Sequence, residues 1–308
     1  MQKEITLLIP TYNRDELLDN CLNSVSKQTF KGSIHCVIMN NNSTDGTNDV
    51  IRNWINKAEF KITPIDNKEN LDPIENWKSG LKYMDTEYSK WLQDDDWLEP
   101  EAIETMVQDI YDYKPNGLIY NCNIYSKNND YQPIYNYYKH STKKITRNDV
   151  VNHVLQLAPV FPVSPTASIF KSEYIKKAIN FGVNNKICTK KLMGNDLIMN
   201  FFGVFNDLDT YYINKTLVNF YGGDDSISLV NNPKILSHCY LRSLCLMINF
   251  DSTSITEKQK KIIEHRQFAT KLRGLFDSEY KEISTITNFK SKLSVDQLLK
   301  YFQKIITR

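Results

Sequence analysis

The chain has 308 residues, 41% of them hydrophobic and 24% charged, and a formal net charge of +2. This composition is typical of a globular protein with one large α/β domain, or one such domain and a smaller helical piece. The balanced charge gives no reason to expect nucleic acid as a partner, and we expect neither a signal peptide nor a membrane-spanning helix from the short apolar runs. The six cysteines form no Cys-x-x-Cys pair, so they are expected to be reduced core residues and not a disulfide framework or a zinc site.

Strands alternate with helices in the first third of the chain. Short apolar runs predict buried strands at Ile5–Ile9, Ser33–Met39 and Phe60–Ile65. Polar residues interrupt the pattern from Pro10 after the first strand and from Asn40 after the second, and helical stripes of apolar residues follow. This order predicts a doubly wound, mostly parallel sheet whose ligand site lies at the carboxyl ends of the strands.

Two helix starts in this region carry capping signals. Asn13 and Glu16 have the spacing of a capping box in front of a helical stripe. Asp72 is followed directly by a proline and, three residues on, by Glu75, which is the same signal strengthened by a proline in the first turn. We therefore expect Asn13 and Asp72 to cap helices, the second with a buried face that extends to Met84.

Three consecutive aspartates, Asp94, Asp95 and Asp96, follow a short apolar run. The pattern predicts a buried strand that ends in a turn, followed by a helix that Pro100 opens. Adjacent carboxylates repel one another, so a cation is expected among them, and Mg²⁺ or Mn²⁺ is commonly held by one or two carboxylates. In an extended chain Asp94 and Asp96 share one face and Asp95 the other. The alternative is an acidic turn that only caps the next helix, but the place at a strand's carboxyl end favours a ligand site.

The rest of the chain continues the alternation and then becomes helical. Apolar runs predict three more strands: Gly117–Tyr125, Thr166–Phe170 and Thr210–Phe220. The polar and aromatic segment Tyr125–Lys144 is expected to form a hairpin or a long loop over the site. Further helices are expected at Thr146–Gln156, after a cap at Ser172, from Gly194 and from Lys234. We expect two regions, 1–230 and 231–308.

Four motifs occur in a familiar order: Pro10–Arg14, Asn42–Thr47, Asp94–Pro100 and Gly194–Asp196. Together they resemble the family 2 glycosyltransferases of the GT-A fold, which are inverting enzymes that use nucleotide-sugars. The resemblance covers about residues 3–230 and implies an α/β, Rossmann-like, doubly wound sheet with a C-terminal helical extension. It implies transfer of a sugar, with a UDP-sugar as the expected donor, to a hydroxyl of a glycan or lipid-linked oligosaccharide in bacterial polysaccharide synthesis.

The resemblance also implies roles for single residues. Asp96 would bind the divalent metal, Mn²⁺ or Mg²⁺, and Asp196 would be the general base. Asn41 stands where many relatives have an aspartate that accepts from a uracil ring nitrogen, although an amide can donate as well as accept. The residues implied to bind the donor are Pro10, Thr11, Tyr12, Asn13, Arg14, Asn40, Asn41, Asn76, Asp94 and Asp95.

The chain departs from the family pattern at two places. Asn195 stands where relatives have an acidic residue in front of the base. Gly222–Asp225 stands where some relatives have a histidine before the Ser-x-Ser of residues 226–228, so no second protein ligand to the metal is expected there.

Simpler interpretations remain open for single motifs. Asp196 also fits an ordinary helix cap, and Asn40–Asp45 fits a plain turn. A nucleotidylyltransferase would need a glycine-rich basic loop where this chain has Pro10–Arg14. A glycoside hydrolase would place two carboxylates about the scissile bond, but the motif order is wrong for the usual barrels. A non-catalytic sugar-binding module would need neither the aspartates nor a base.

The C-terminal region is basic, with 12 Lys and Arg against 7 Asp and Glu from Asp251 to Arg308. Amphipathic basic helices can bind an anionic membrane surface, and they can also pack on their own domain or form a dimer. The expected location is the cytoplasm, at the inner face of the cell membrane if the acceptor is lipid-linked.

Overall fold

The computed structural model describes residues 4–125, 132–136, 141–157, 161–187, 194–223, 233–248 and 255–273. The chain forms two compact units, Met1–Ile255 and Thr256–Arg308. The described strands are β1 Glu4–Thr11, β2 Ser33–Asn40, β3 Lys61–Asp66, β4 Tyr88–Trp91, β5 Trp97–Leu98, β6 Gly117–Tyr125, β7 Pro133–Asn136, β8 Lys143–Lys144, β9 Ser168–Lys171 and β10 Thr210–Tyr221. The described helices are α1 Asp15–Ser26, α2 Thr47–Lys57, α3 Pro73–Ser79, α4 Ala102–Tyr113, α5 Arg147–Val154, α6 Ser172–Asn184, α7 Asn195–Phe201, α8 Pro233–Ile248 and α9 Glu257–Arg273, of which α9 lies in the second unit.

The strands form one sheet with the order β3-β2-β1-β4-β9-β6-β10-β5, to which β7 adds next to β6 and β8 next to β10. Neighbours among β3, β2, β1 and β4 are parallel. β9 is antiparallel to both β4 and β6, and β10 is again parallel to β6. The predicted α/β fold with a mostly parallel sheet is confirmed. The alternation of strands and helices along the chain did not predict that β9 would run in the opposite direction to its neighbours.

The two central strands are buried almost from end to end. In both β1 and β2 one exposed residue is followed by seven buried ones. This is the pattern of a parallel strand that is covered on both faces. Ile5, Leu7 and Ile9 of β1 belong to one core together with Leu18 of α1 and Ile103 of α4. The core fixes β1 rigidly, so its carboxyl end is a stable place for a ligand site.

β1 runs through Pro10 to Thr11, so the expectation that Pro10 interrupts the strand is wrong. The carbonyl of Leu8 faces β4 and accepts from the N–H of Leu92 at 3.0 Å. Pro10 faces the same side two residues later, where the pairing of β1 with β4 has already ended. The missing N–H of proline therefore leaves no ladder bond unmade.

Two predicted helix caps do not form. α1 begins at Asp15, and the side chain of Asn13 instead accepts from the N–H of Thr44 at 2.8 Å. Asp72 does precede α3, but its side chain makes no capping bond, and the helix ends at Ser79, before the predicted face is complete. At Asn13 a long-range bond to Thr44 replaces the predicted capping bond. At Asp72 the helix that follows is shorter than predicted.

Ser172 is the third predicted cap that the structure corrects. It lies inside α6, whose capping position is occupied by Lys171. The Ser172 hydroxyl bonds to the Ser89 hydroxyl of β4 at 2.6 Å and to the carbonyl of Thr86 at 2.5 Å. It joins α6 to the sheet and does not cap the helix.

A short strand separates the aspartates from the following helix. Trp97 and Leu98 of β5 pair with Asn219 and Val218 of β10. The helix α4 therefore begins at Ala102, so the prediction that Pro100 opens it directly after the turn is wrong. This pairing brings the end of β10 next to the aspartates.

In the segment after β6, which was expected to form a hairpin or a long loop, β7 pairs antiparallel with β6, as a hairpin requires. Residues 126–131 and 137–140 of this segment lie outside the described residues, and so does the predicted basic tail from residue 274 onward. Among the described helices, none has the length and apolar character needed to cross a bilayer.

Candidate active site

The carboxyl ends of β1, β2 and β4 meet at one edge of the sheet. Thr11, the last residue of β1, lies opposite Asn40 at the end of β2, and the N–H of Asn41 donates to the Thr11 carbonyl at 2.9 Å. The aspartates Asp94–Asp96 follow β4 on the other side of β1. The sequence motifs that were predicted to share this edge do lie together.

Arg14 fixes the middle aspartate. Its guanidinium Nη1 donates to Asp95 Oδ2 at 2.8 Å, and the Arg14 and Asp95 side chains keep 16% and 20% of their surface exposed. The backbone N–H of Arg14 donates to the hydroxyl of Thr47 at 3.1 Å. Arg14 thus links the start of α1 to the first residue of α2 and to the aspartate turn, and its guanidinium is paired with Asp95.

Asp94 and Asp96 are both buried, whereas Asp95 keeps the exposure given above. Burial and the charge of Asp95 together raise the pKa of Asp94 to about 7, and Arg14 acts in the opposite direction. Burial and the charge of Asp95 also raise the pKa of Asp96 well above its usual value, although its Oδ1 accepts from the N–H of Tyr221 at 3.1 Å. Asp94 and Asp96 therefore favour the protonated form unless further positive charge comes close to them.

This set of oxygens fits a hard divalent cation. Within the described ranges no group of three or more His, Cys, Asp or Glu side chains could hold a metal ion. Mg²⁺ and Mn²⁺ sites in nucleotide-binding enzymes need fewer protein ligands, because one or two carboxylates and the phosphates of the substrate complete the shell. A cation beside Asp94 and Asp96 would favour their charged form, against the burial and the Asp95 charge that raise their pKa.

Thr11 carries a second sign of an absent polar ligand. The residue is 3% exposed, and its hydroxyl makes no hydrogen bond with the described part of the chain. The hydroxyl lies beside Asp94 and lowers the pKa of that carboxyl. A polar ligand that bonded to this hydroxyl would stabilise the site. Tyr12, the next residue, is 42% exposed at the rim.

Asn41 is fully engaged by the loop that follows β3. Its Nδ2 donates to Asn70 Oδ1 at 2.9 Å and to the Leu71 carbonyl at 3.0 Å. Its Oδ1 accepts from the Leu71 N–H at 2.9 Å and from Asn67 Nδ2 at 3.1 Å. An amide has two hydrogens and two lone pairs, so no bonding capacity is left for a nucleotide base.

The other asparagines of this region extend the same network. Asn76 accepts from Asn67 at 2.8 Å and donates to the Met39 carbonyl at 3.2 Å, which places it behind the loop. Asn40 donates to Asn48 at 2.7 Å and to Asp66 at 3.0 Å. These bonds join the end of β2 to α2, to the end of β3 and, through Asn76, to α3.

Asp196 lies in the first turn of α7. The capping position belongs to Gly194, so Asp196 is not the cap. Gly194 has φ +130°, and a side chain there would collide with the Ser243 hydroxyl of α8 and lie 3.2 Å from the Cys239 carbonyl oxygen, so only glycine fits. Asp196 has no hydrogen-bond or ion-pair partner in the described parts of the chain, and burial raises its pKa to about 7. Such a carboxylate is suited to take a proton near neutral pH.

Several residues at this site were not indicated by the sequence. Thr166 accepts from the N–H of Gln93 at 3.0 Å, and Lys90 is fully buried beneath the turn. Burial lowers the pKa of Lys90 to about 7, against the opposing effect of Asp96. The one sequence feature that could have indicated these residues was the lysine itself, which stands in the apolar run before the aspartates. In the second region where the sequence departs from the family pattern, residues 224–232 lie outside the described residues.

The family model for glycosyl transferase family 2 matches residues 6–178, more than half of the chain. The chain belongs to this family. Abequosyltransferase RfbV of Salmonella typhimurium is 26% identical over 272 residues, which are 83% of this chain and 78% of the relative. The chain spans only 16–34% of several other curated glycosyltransferases that it matches.

Solved structures share the fold of this family 2 chain. Staphylococcus aureus TarS 1–349 in complex with UDP-GlcNAc superposes with a TM-score of 0.60 at 16% identity, over 97% of this chain and 79% of that chain. The mannosyltransferase PcManGT from Pyrobaculum calidifontis, in complex with GDP-Man and Mn²⁺, superposes with a TM-score of 0.53 at 13% identity, over 100% and 81%. The predicted GT-A fold is therefore confirmed.

The bonding of Asn41 generates a prediction about the substitution Asn41→Asp. An aspartate has no N–H, so one of its oxygens would face the Leu71 carbonyl and Asn70 Oδ1. We expect the free energy of unfolding to fall by about 1–3 kcal/mol and UDP to bind more weakly. Denaturant unfolding and calorimetric titration with UDP measure the two effects.

The matched control is Asn42→Asp, the same change at the exposed neighbour, whose φ of +63° aspartate tolerates. Its stability should remain within about 0.5 kcal/mol of the wild type. Tighter UDP binding by Asn41→Asp at unchanged stability would show that the side chain is free to contact the base.

Proposed function

We propose that this family 2 protein transfers a sugar from a nucleoside diphosphate donor to a hydroxyl of a glycan or lipid-linked glycan, with inversion at the anomeric carbon, in bacterial surface polysaccharide synthesis. The observation that carries the proposal is the aspartate turn Asp94–Asp96 after the carboxyl end of β4, in which two carboxyls are buried, Arg14 pairs with the third, and the buried Thr11 hydroxyl lies beside Asp94. Relatives named as transferases of sugars support the reaction class.

The donor half of the site is proposed to lie along the ends of β1, β2 and β4. Asp96 would hold Mn²⁺ or Mg²⁺, and Asp94 or Asp95 would bind the ribose hydroxyls. When bound, the cation neutralises charge that develops on the diphosphate leaving group. Arg14 keeps Asp95 in place through its 2.8 Å ion pair. The complexes of neighbouring folds with UDP-GlcNAc and with GDP-Man and Mn²⁺ support a nucleotide-sugar and a metal.

The nucleotide base is proposed to contact Tyr12 and the loop after β3, and not Asn41. All hydrogen-bonding capacity of the Asn41 amide is used by Asn70, Leu71 and Asn67. Tyr12 is the exposed aromatic residue at the edge of the site. A UDP-sugar remains the expected donor, because a TarS neighbour binds UDP-GlcNAc.

Asp196 is proposed to act as the general base. Its carboxylate would take the proton from the acceptor hydroxyl while that oxygen attacks C1 from the side opposite the diphosphate. One bond from C1 to the acceptor oxygen forms, the bond from C1 to the diphosphate oxygen breaks, and the configuration inverts. An α-linked donor would then give a β-linked product.

The catalytic region is proposed to cover residues 1–230, and the C-terminal helices 231–308 to serve a second role. The helix α9 carries six Lys and Arg against two Glu, which fits contact with an anionic membrane surface from the cytoplasmic side. A lipid-linked acceptor would make such contact useful. Helix packing within a homodimer is the competing role.

The first prediction of this proposal concerns the metal. A thermal-shift screen with UDP, GDP, dTDP and CDP, each with and without Mn²⁺, should give one nucleotide whose stabilisation depends on Mn²⁺. At a ligand concentration about 100 times Kd the stabilisation is about 2.7 kcal/mol. Asp96→Asn should lose the Mn²⁺-dependent part of the shift. The control Asp112→Asn, on the exposed face of α4, should keep it. Equal Mn²⁺-dependent shifts in Asp96→Asn and wild type would place the metal elsewhere.

The second prediction concerns Asp196→Asn. Transfer should fall by about 10²–10⁴-fold, while the Kd of the nucleotide stays within about twofold, because only the proton acceptor is removed. Since the pKa of Asp196 is raised to about 7, wild-type kcat should decline as pH falls through 7. Rate and binding assays from pH 5.5 to 9 check both.

The same raised pKa makes a separate prediction about stability. A carboxyl whose pKa rises from 3.8 to about 7 on folding stabilises the protein below pH 4, and this contribution is lost as pH rises through 7. At pH 8, Asp196→Asn should therefore be at least as stable as the wild type. A variant that loses both activity and stability at pH 8 would mark Asp196 as a structural residue.

A further inference from the structure

A buried polar bridge connects the helix of the candidate base with the aspartate turn. The bridge is the segment Phe161–Ser168, which includes a 3₁₀ helix at Pro165–Ala167. We propose that Asn200 of α7 is a positioning residue, which sets where Asp196 stands relative to the donor by holding this segment. The functional half of this inference rests on the proposed function.

Asn200 lies one turn after Asp196 on α7 and is completely buried. Its Nδ2 donates to the Val163 carbonyl at 2.6 Å, with the carbonyls of Pro162 and Ser164 at 3.5 Å. Its Oδ1 accepts from the Ser168 hydroxyl at 2.9 Å. One side chain thus bonds to Val163 and to Ser168, which lie on the two sides of the 3₁₀ helix.

The other side of the segment is joined to the aspartate turn. The Thr166 hydroxyl, which is fully buried, accepts from the N–H of Gln93 at 3.0 Å. Gln93 directly precedes the aspartates, and its carbonyl accepts from the N–H of Asp96 at 3.2 Å. Thr166 therefore fixes the residue that closes the turn.

Lys90 of β4 holds the segment from below. Its ammonium group donates to the carbonyl of Thr166 and, at 3.3 Å, to that of Ser168. Lys90 is 0% exposed, and a buried ammonium without an ion pair is expensive in free energy. A methionine would fill the same space without that cost, which favours a role for the ammonium beyond packing.

Asn200 bonds to Val163 and Ser168, Thr166 bonds to Gln93, and Lys90 joins the carbonyls of Thr166 and Ser168, so the backbone between Val163 and Ser168 connects the two sets of bonds. The side chains of Asn200, Ser168 and Thr166 are buried, which favours a rigid network. A shift of α7 relative to the turn would break several of these bonds at once. In a transfer reaction, a base misplaced by about 1 Å can cost about 100-fold in rate.

The experiment compares Asn200→Ala with Asn206→Ala. Asn206 follows the same helix, is exposed and donates to one carbonyl, that of Phe202, at 2.7 Å. For Asn200→Ala we expect kcat for transfer to fall by about 10–100-fold, while the Kd of the nucleotide and hydrolysis of the donor by water change by less than about twofold. Asn206→Ala should resemble the wild type in all three.

Hydrogen exchange gives a readout that does not depend on activity. In Asn200→Ala the amides of Gln93–Leu98 should exchange faster than in the wild type, although Asn200 does not contact them. In Asn206→Ala they should not. If these amides keep wild-type protection in Asn200→Ala, the bridge does not transmit position and the inference is overturned.

A second pair of variants tests the junction. Thr166→Val removes the hydroxyl at nearly constant shape, and Thr166→Ser keeps it. We expect Thr166→Val to reproduce the loss of kcat and of amide protection, and Thr166→Ser to restore most of both. Equal effects of the two substitutions would assign Thr166 to packing and contradict the proposal.

The outcomes separate this inference from the proposed function. A wild type that transfers no sugar from any nucleotide donor refutes the proposed function, and hydrogen exchange still decides whether Asn200 holds the turn. A wild type that transfers sugar, with Asn200→Ala weakening nucleotide binding and transfer equally, supports the function and refutes the positioning role.

Discussion

The structure depends on one electrostatic constraint, the burial of adjacent carboxylates at the end of a central strand. Asp94 and Asp96 cannot both be charged in a poorly solvated turn without positive charge or donors nearby. Arg14, the N–H of Tyr221 and the buried Thr11 hydroxyl surround them. Because β1 is buried along its length, its carboxyl end is rigid. Because β5 pairs with β10, the N–H of Tyr221 lies next to Asp96.

The region around the end of β2 is held by neutral amides that bond to one another. Where the resemblance implied acidic residues after β2, this chain has asparagines, and the Asn41 side chain bonds to the loop after β3. This arrangement joins β2 to that loop without adding negative charge next to the aspartate turn. It leaves the Asn41 amide with no bonding capacity for the role that the resemblance implied.

Patterns that depend on neighbouring residues predicted the molecule well. Apolar runs located the strands, and the helix after Gly194 begins where its glycine indicated. The capping signals at Asn13, Asp72 and Ser172 failed, because side chains that can cap a helix can also bind distant groups. Asn13 binds Thr44, and Ser172 binds Ser89. The reversed direction of β9 had no local signal either.

The sequence by itself determined the α/β class, the edge where the site lies and the residue types gathered there, because hydrophobic period and strand ends are local properties. Only the tertiary structure decided which of those side chains are free. Asn41 is fully bonded to the loop after β3, Asp196 has no partner in the described residues, and Asn200 bonds to the segment whose Thr166 bonds to Gln93. Hydrogen bonds between residues far apart in the chain set these differences, and they follow from packing and not from order along the chain.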